Sequence, residues 1–165
     1  MRRQRESSHP AANAPRNTRR IHEESAGKLP ELAGCPRCKA SYRNGRWTWE
    51  TPPIGSYALE CPACKQIEAD DAAGELRIGG LFALAHRGEI EGCLRNVEAN
   101  ERSEHPLKRI MSIREDGEDL VVRVTDAKLV TQLGHALENA WDGVLVLPRT
   151  TSDRSSPARG SWRRD

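Results

Sequence analysis

The chain has 165 residues, of which 36% are hydrophobic and 30% charged, with a single Phe and a formal net charge of +2. That length holds one ordinary domain or two small ones. The thin apolar content leaves a modest core, so a small subdomain would draw much of its folding free energy from a bound metal. No stretch approaches the ~18 apolar residues of a membrane span, and no apolar run follows the basic N-terminus. The expectation is therefore a chain without span or secretory leader, working in the reducing cytoplasm.

Residues 1–30 are rich in Arg, Ser, Pro, Asn and Ala without periodicity, and are expected to form a disordered basic arm. Seven cations face three carboxylates there, and five arginines face two aspartates over residues 149–165. Basic ends on an acidic middle suit a polyanionic partner, nucleic acid first. The alternative is tails that only solvate.

Residues 31–72 read as a zinc ribbon. Cys35-Pro36-Arg37-Cys38-Lys39 and Cys61-Pro62-Ala63-Cys64-Lys65 repeat one C-P-x-C-K pattern. Each C-x-x-C bends the backbone so that two sulfurs reach one ion, and two such knuckles complete a tetrahedron. Cys35, Cys38, Cys61 and Cys64 are thus the expected ligands of a structural Zn²⁺. A rubredoxin-like iron site also uses paired C-P-x-C knuckles, but with glycine where this chain has Lys39 and Lys65. Between the knuckles, strands are expected over 42–50 and 57–60, joined by a turn at Pro52, Pro53 and Gly55. Trp47 and Trp49 would share one strand face, either covering the small core or stacking on a base.

Residues 73–149 alternate strands and helices. A strand at 75–79 leads to a helix over 81–104 with Ile90, Cys93, Leu94 and Val97 on one face, ended by His105-Pro106. Strands at 107–114 and 120–125 flank a turn, and Asp126 caps a helix carrying Leu129, Leu133, Ala136, Leu137 and Ala140. Val144 to Leu147 would be a last buried strand, and residues 150–165 a basic tail. The order βαββαβ gives an α+β chain in which a ferredoxin-like domain, with two helices on one face of a four-stranded antiparallel sheet, follows the four-cysteine ribbon.

No catalytic fingerprint is present: G-x-S-x-G, a phosphate-binding glycine loop, H-E-x-x-H and the dinucleotide motif are all missing. The five histidines are scattered, and Cys93 falls on an apolar helix face as a small core residue. The expectation is a protein that is not an enzyme and takes no small-molecule substrate. The open sheet face would show Glu75, Arg77, Gly79, Val121, Arg123 and Thr125, with no aromatic for base stacking. RNA contacts are therefore expected from Arg37, Lys39, Arg46, Trp47, Trp49 and Lys65 on the ribbon, and from Arg77 and Arg123 on the sheet, mostly to phosphate.

The paired C-P-x-C knuckles, Trp47-Thr48-Trp49 and the passage from Glu104 to Ile110 resemble a group of small bacterial zinc-ribbon proteins. Residues 117–148 are similar to part of the large-ribosomal-subunit export adaptor family of eukaryotes and archaea. This chain has one four-cysteine set where the adaptor has further pairs, and it lacks the adaptor's later domains and transport signals, so export is not implied. The resemblance implies a zinc module associated with ribosomal RNA or a ribosomal subunit. A protein–protein or regulatory adaptor remains the alternative.

Overall fold

The computed structural model describes residues 32–148 and 156–165. The expected basic arm at 1–30 lies outside the described residues. So does the start of the expected C-terminal tail.

The N-terminal sheet is small, with strand order β3-β2-β1-β4. It comprises β1 (Ala33–Gly34), β2 (Ser41–Arg43), β3 (Arg46–Thr48) and β4 (Tyr57–Ala58). Asn44 and Gly45 take φ of 49° and 81°, the geometry of a tight hairpin turn, so they join β2 to β3. The hairpin thus falls inside the stretch expected to be one strand. The Pro52–Gly55 segment returns the chain to β4, which pairs parallel with β1. Cys61 then caps helix α1 (Pro62–Ala69), with Pro62 in its first turn, where the missing N–H costs nothing. The sequence pattern predicts no helix there.

The second sheet has five strands in the order β6-β7-β5-β9-β8. They are β5 (Gly74–Gly79), β6 (Ile110–Asp116), β7 (Asp119–Val124), β8 (Val144–Val146) and β9 (Ala158–Arg163). The expected long helix is broken at His86 into α2 (Leu81–Ala85) and α3 (Arg87–Glu104). Helix α4 (Ala127–Trp141) opens as expected, with the Asp126 carboxylate accepting from Lys128 N–H at 2.8 Å. Leu76, Ile78, Val122 and Val124 meet Ile90, Leu94, Leu129, Leu133 and Leu137 in the core between sheet and helices. Ala140, expected on the buried face of α4, is exposed, and Val130 and Gly134 are buried instead.

The fold therefore keeps the expected mixture of strands and helices and departs from it at the C-terminus. The stretch expected to be a disordered tail contributes β9, which runs parallel to β5 and separates it from β8. The four-stranded antiparallel sheet becomes a mixed five-stranded one. β8 becomes an edge strand whose valines, Val144 and Val146, are exposed rather than buried. Trp162 explains the insertion. Its side chain is fully buried, pairs across from Ile78, lies edge-on to Phe82 and donates from Nε1 to Asp142 O at 2.7 Å. Gly80 takes φ of 101° and lies so close to the Arg164 carbonyl that a Cβ would come within 2.0 Å of it.

Deleting the Trp162 side chain should cost about 3–5 kcal/mol, the range for a large aromatic truncated in a core. Arg159→Ala, on the outward side of the same strand, should stay within about 0.5 kcal/mol of the parent. Urea unfolding of the two variants checks this, and equal midpoints would refute a structural β9.

Candidate metal centre

The two knuckles share a sequence but are built differently. Cys35 and Cys38 sit in the turn between β1 and β2, where Cys35 N–H donates to Ala40 O (2.8 Å) and Lys39 N–H to Cys35 O (3.0 Å). Lys39 adopts φ of 68°, a left-handed position that glycine usually fills, and its ammonium donates to Pro36 O at 2.8 Å. Cys61 and Cys64 instead occupy the first turn of α1, and Cys64 N–H points at Cys61 Sγ, 3.4 Å away. The helix dipole places partial positive charge where these two sulfurs lie.

The four sulfurs converge. Cys35 and Cys64 Sγ are 3.8 Å apart, Cys38 and Cys61 Sγ 3.6 Å, and all four lie within 4.8 Å of one another. A tetrahedral site with metal–sulfur bonds of about 2.3 Å requires sulfurs roughly 3.8 Å apart. All five cysteines are free of disulfides. The residues present fit a tetrathiolate metal site, and the four cysteines are placed to hold an ion.

Electrostatics divides the set. Burial alone would raise the Cys35 pKa, but the backbone N–H groups of Cys61, Cys38 and Arg37 outweigh it and hold the thiol down to about 6. Burial pushes Cys61 and Cys64 up, although Arg109 pulls Cys64 partly back. The Arg109 guanidinium is buried against the cluster, 3.3 Å from Cys64 Sγ through Nη1 and 3.8 Å from Cys61 Sγ through Nη2. Burial disfavours its charge, but bonds to Cys38 and Cys64 and the charges of Cys38 and Cys61 more than offset this, raising its pKa. The segment that carries it is held by Lys108, whose ammonium meets Glu101 at 2.6 Å and keeps that carboxyl below its ordinary range.

Sequence reasoning did not assign Arg109 to the site. Its sulfur partner is 45 positions away, so no local spacing marks it. The helical start at Cys61-Pro62 and the Asn44-Gly45 turn did carry local signals of a helix and a hairpin.

Several of the residues expected to contact RNA are paired or buried within the protein. Arg37 is paired with Glu60 (2.8 Å) and Glu68 (2.9 Å), Arg77 with Asp116 (2.8 Å) and Asp119 (3.3 Å), and Arg123 with Asp70. Trp47 is buried beside Tyr42, with ring centroids 5.6 Å apart. Trp49 points elsewhere: its indole donates to Arg102 O at 2.6 Å on α3, with the Arg102 guanidinium over the ring. The two tryptophans do not share a face, because β3 ends at Thr48. Arg46 and Lys65 are exposed, as is Lys39. Cys93 packs beside the core of the second sheet, and burial raises its pKa.

Among the described residues no helix is long and apolar enough to cross a membrane. Comparison with protein-family models, with curated proteins and with solved structures returned no match.

The chain should bind one divalent metal ion, measured by elemental analysis of purified protein. Cys61→Ser should abolish that stoichiometry, whereas Cys93→Ser should leave it intact. A second expectation concerns acid. A carboxyl with a lowered folded pKa stabilises the fold at neutral pH and loses that contribution as pH falls through its folded value. The stability gap between parent and Glu101→Gln, at most about 1 kcal/mol at neutral pH for so partly exposed a pair, should therefore close on acidification. Denaturant titrations at several pH values check it.

Proposed function

We propose that this chain is a non-enzymatic zinc-binding module that associates with structured RNA of the ribosome, in the cytoplasm. The observation that carries the zinc reading is the closure of four sulfurs within 4.8 Å of one another. Four thiolates complete a tetrahedron and leave no position for water or substrate, so the metal's task is to hold the fold. Zinc suits a redox-silent structural role, and Lys39 and Lys65 depart from the glycines of rubredoxin-like iron knuckles.

The RNA reading rests on charge. The two ends of the chain carry an excess of arginine, and β9 adds Arg159 and Arg163 to the outward side of the sheet, Arg163 with Asp165 beside it at 3.4 Å. Arg46, Lys39 and Lys65 add exposed cations on the ribbon. Such cations position a protein on phosphate without reading bases. Arg37, Arg77 and Arg123 would have to exchange their carboxylate partners for phosphate, and so are weaker contacts.

A specific observation favours a protein partner as the second reading. β8 is an edge strand with exposed Val144 and Val146, the form of edge that accepts an added strand. On that reading the basic ends only solvate.

Under the RNA reading the full chain co-sediments with ribosomal subunits in low salt, and the association weakens steeply as salt rises. Removing residues 1–30 should lower RNA affinity severalfold, whereas capture of a protein partner would survive that deletion. Sedimentation only at the top of the gradient in low salt rules out the RNA reading.

A further inference from the structure

Arg109 is 6% exposed, and each nitrogen of its guanidinium has a partner. Nε donates to Pro106 O at 2.8 Å, fixing the plane of the fork, while Nη1 and Nη2 face Cys64 and Cys61 sulfurs at 3.3 and 3.8 Å. Among the described residues no carboxylate lies within ion-pair distance of it. A guanidinium removed from water without a counter-charge is strongly unfavourable. The counter-charge here is therefore the sulfur cluster.

The backbone of the same residue is built into the second sheet. Arg109 N–H donates to Thr125 Oγ1 at 2.8 Å, and Thr125 N–H donates to Arg109 O at 3.0 Å. Thr125 Oγ1 also donates to Leu107 O at 2.6 Å, and Leu107 packs on the ribbon's small core. Thr125 directly precedes Asp126, the cap of α4. One side chain thus joins the thiolates of the ribbon to the strand ends and helix start of the other sheet.

We infer that Arg109 belongs to the metal centre as a positioning and charge-balancing residue, and that metal occupancy and the docking of the ribbon on the five-stranded domain are linked through it. The inference rests on the proposed tetrathiolate zinc site. Four thiolates around Zn²⁺ carry a net charge of −2, and Arg109 brings the buried cluster to −1. Outer-sphere partners of this kind both orient metal ligands and set affinity. Linkage is reciprocal: a metal that secures the thiolates favours the docked guanidinium, and the docked guanidinium favours the metal. In the absence of metal the four sulfurs are no longer drawn to one point, and the 105–110 segment loses the anchor that Arg109 finds on Cys64 and Cys61.

The test uses the full chain and zinc alone, with the zinc dissociation constant measured by competition against a chromophoric chelator. R109Q should weaken zinc binding 10–100-fold, the usual effect of removing an outer-sphere partner. R109K keeps the charge and loses the fork, so it should fall between the parent and R109Q. W49A removes the indole bond to Arg102 O, another ribbon contact that touches no sulfur, and should cost less than R109Q. Zinc affinity of R109Q equal to the parent's, R109K no better than R109Q, or W49A as damaging as R109Q would each overturn the inference. A parent chain that binds no zinc would remove the metal reading itself, a different failure.

Hydrogen exchange on the parent keeps the question open to test should R109Q fail to fold. Chelation of the metal should raise exchange over 105–110 and at Thr125 more than in α4. A rise confined to residues 32–72, or uniform along the chain, would overturn the linkage.

Discussion

Four cysteine sulfurs confined within 4.8 Å of one another set the terms for the N-terminal half of this protein. As thiolates they repel, and as neutral thiols they leave a buried arginine without its counter-charge. The ribbon around them has strands of two and three residues and a core of a few small side chains with Trp47, too little apolar burial to stand by itself. A cation held at the centre would resolve the repulsion and close both knuckles at once. Backbone N–H groups directed at sulfur, the amino end of α1 and Arg109 all supply positive potential to the same point. Their convergence is physically sensible only for a centre that is negative overall, as a tetrathiolate around a divalent ion is.

The ribbon does not stand as a bead on a string. Its metal-binding face is turned toward the segment leading into β6, so that Arg109 and Leu107 close it. Two further clasps flank that contact, Trp49 onto the Arg102 carbonyl and Arg123 onto Asp70. Arg123 donates to both the backbone oxygen and the carboxylate of Asp70, at the left-handed C-terminal cap of α1. The partly exposed ion pair adds little energy. The contact of Arg109 with the sulfurs is buried, so solvent screens it less.

Legibility in the sequence followed the range of the forces involved. The knuckle spacing is a local constraint on one ion, and it identified Cys35, Cys38, Cys61 and Cys64 directly. The Asp126 cap and the Ile90/Leu94 and Leu129/Leu133/Leu137 stripes are likewise local, and they stand in the fold where their spacing places them. β9 was hidden because its inward residues are Ala158, Gly160 and Trp162, a pattern with one large apolar side chain in six positions. The small ones are required there, since a Cβ on Gly160 would meet Val130 of α4 at 3.0 Å and the Val146 carbonyl at 3.3 Å. Close helix packing therefore removed the hydrophobic alternation by which a strand is recognised, and the outward arginines made it look like a tail.

That strand also changes what the surface can offer. In a four-stranded arrangement β5 would pair with β8, and the basic C-terminal residues would be free of the fold. With β9 inserted, Arg159 and Arg163 stand at fixed positions on the sheet, while Trp162 between them is sunk in the core. A cation held on a strand gives up less entropy on meeting a polyanion than one on a free chain. Arg163 is paired with Asp165 at 3.4 Å, and Arg77 on β5 and Arg123 on β7 are occupied by Asp116, Asp119 and Asp70. The β9 arginines therefore lie next to the exposed valines of β8. At this edge the β9 arginines and the β8 edge strand lie side by side.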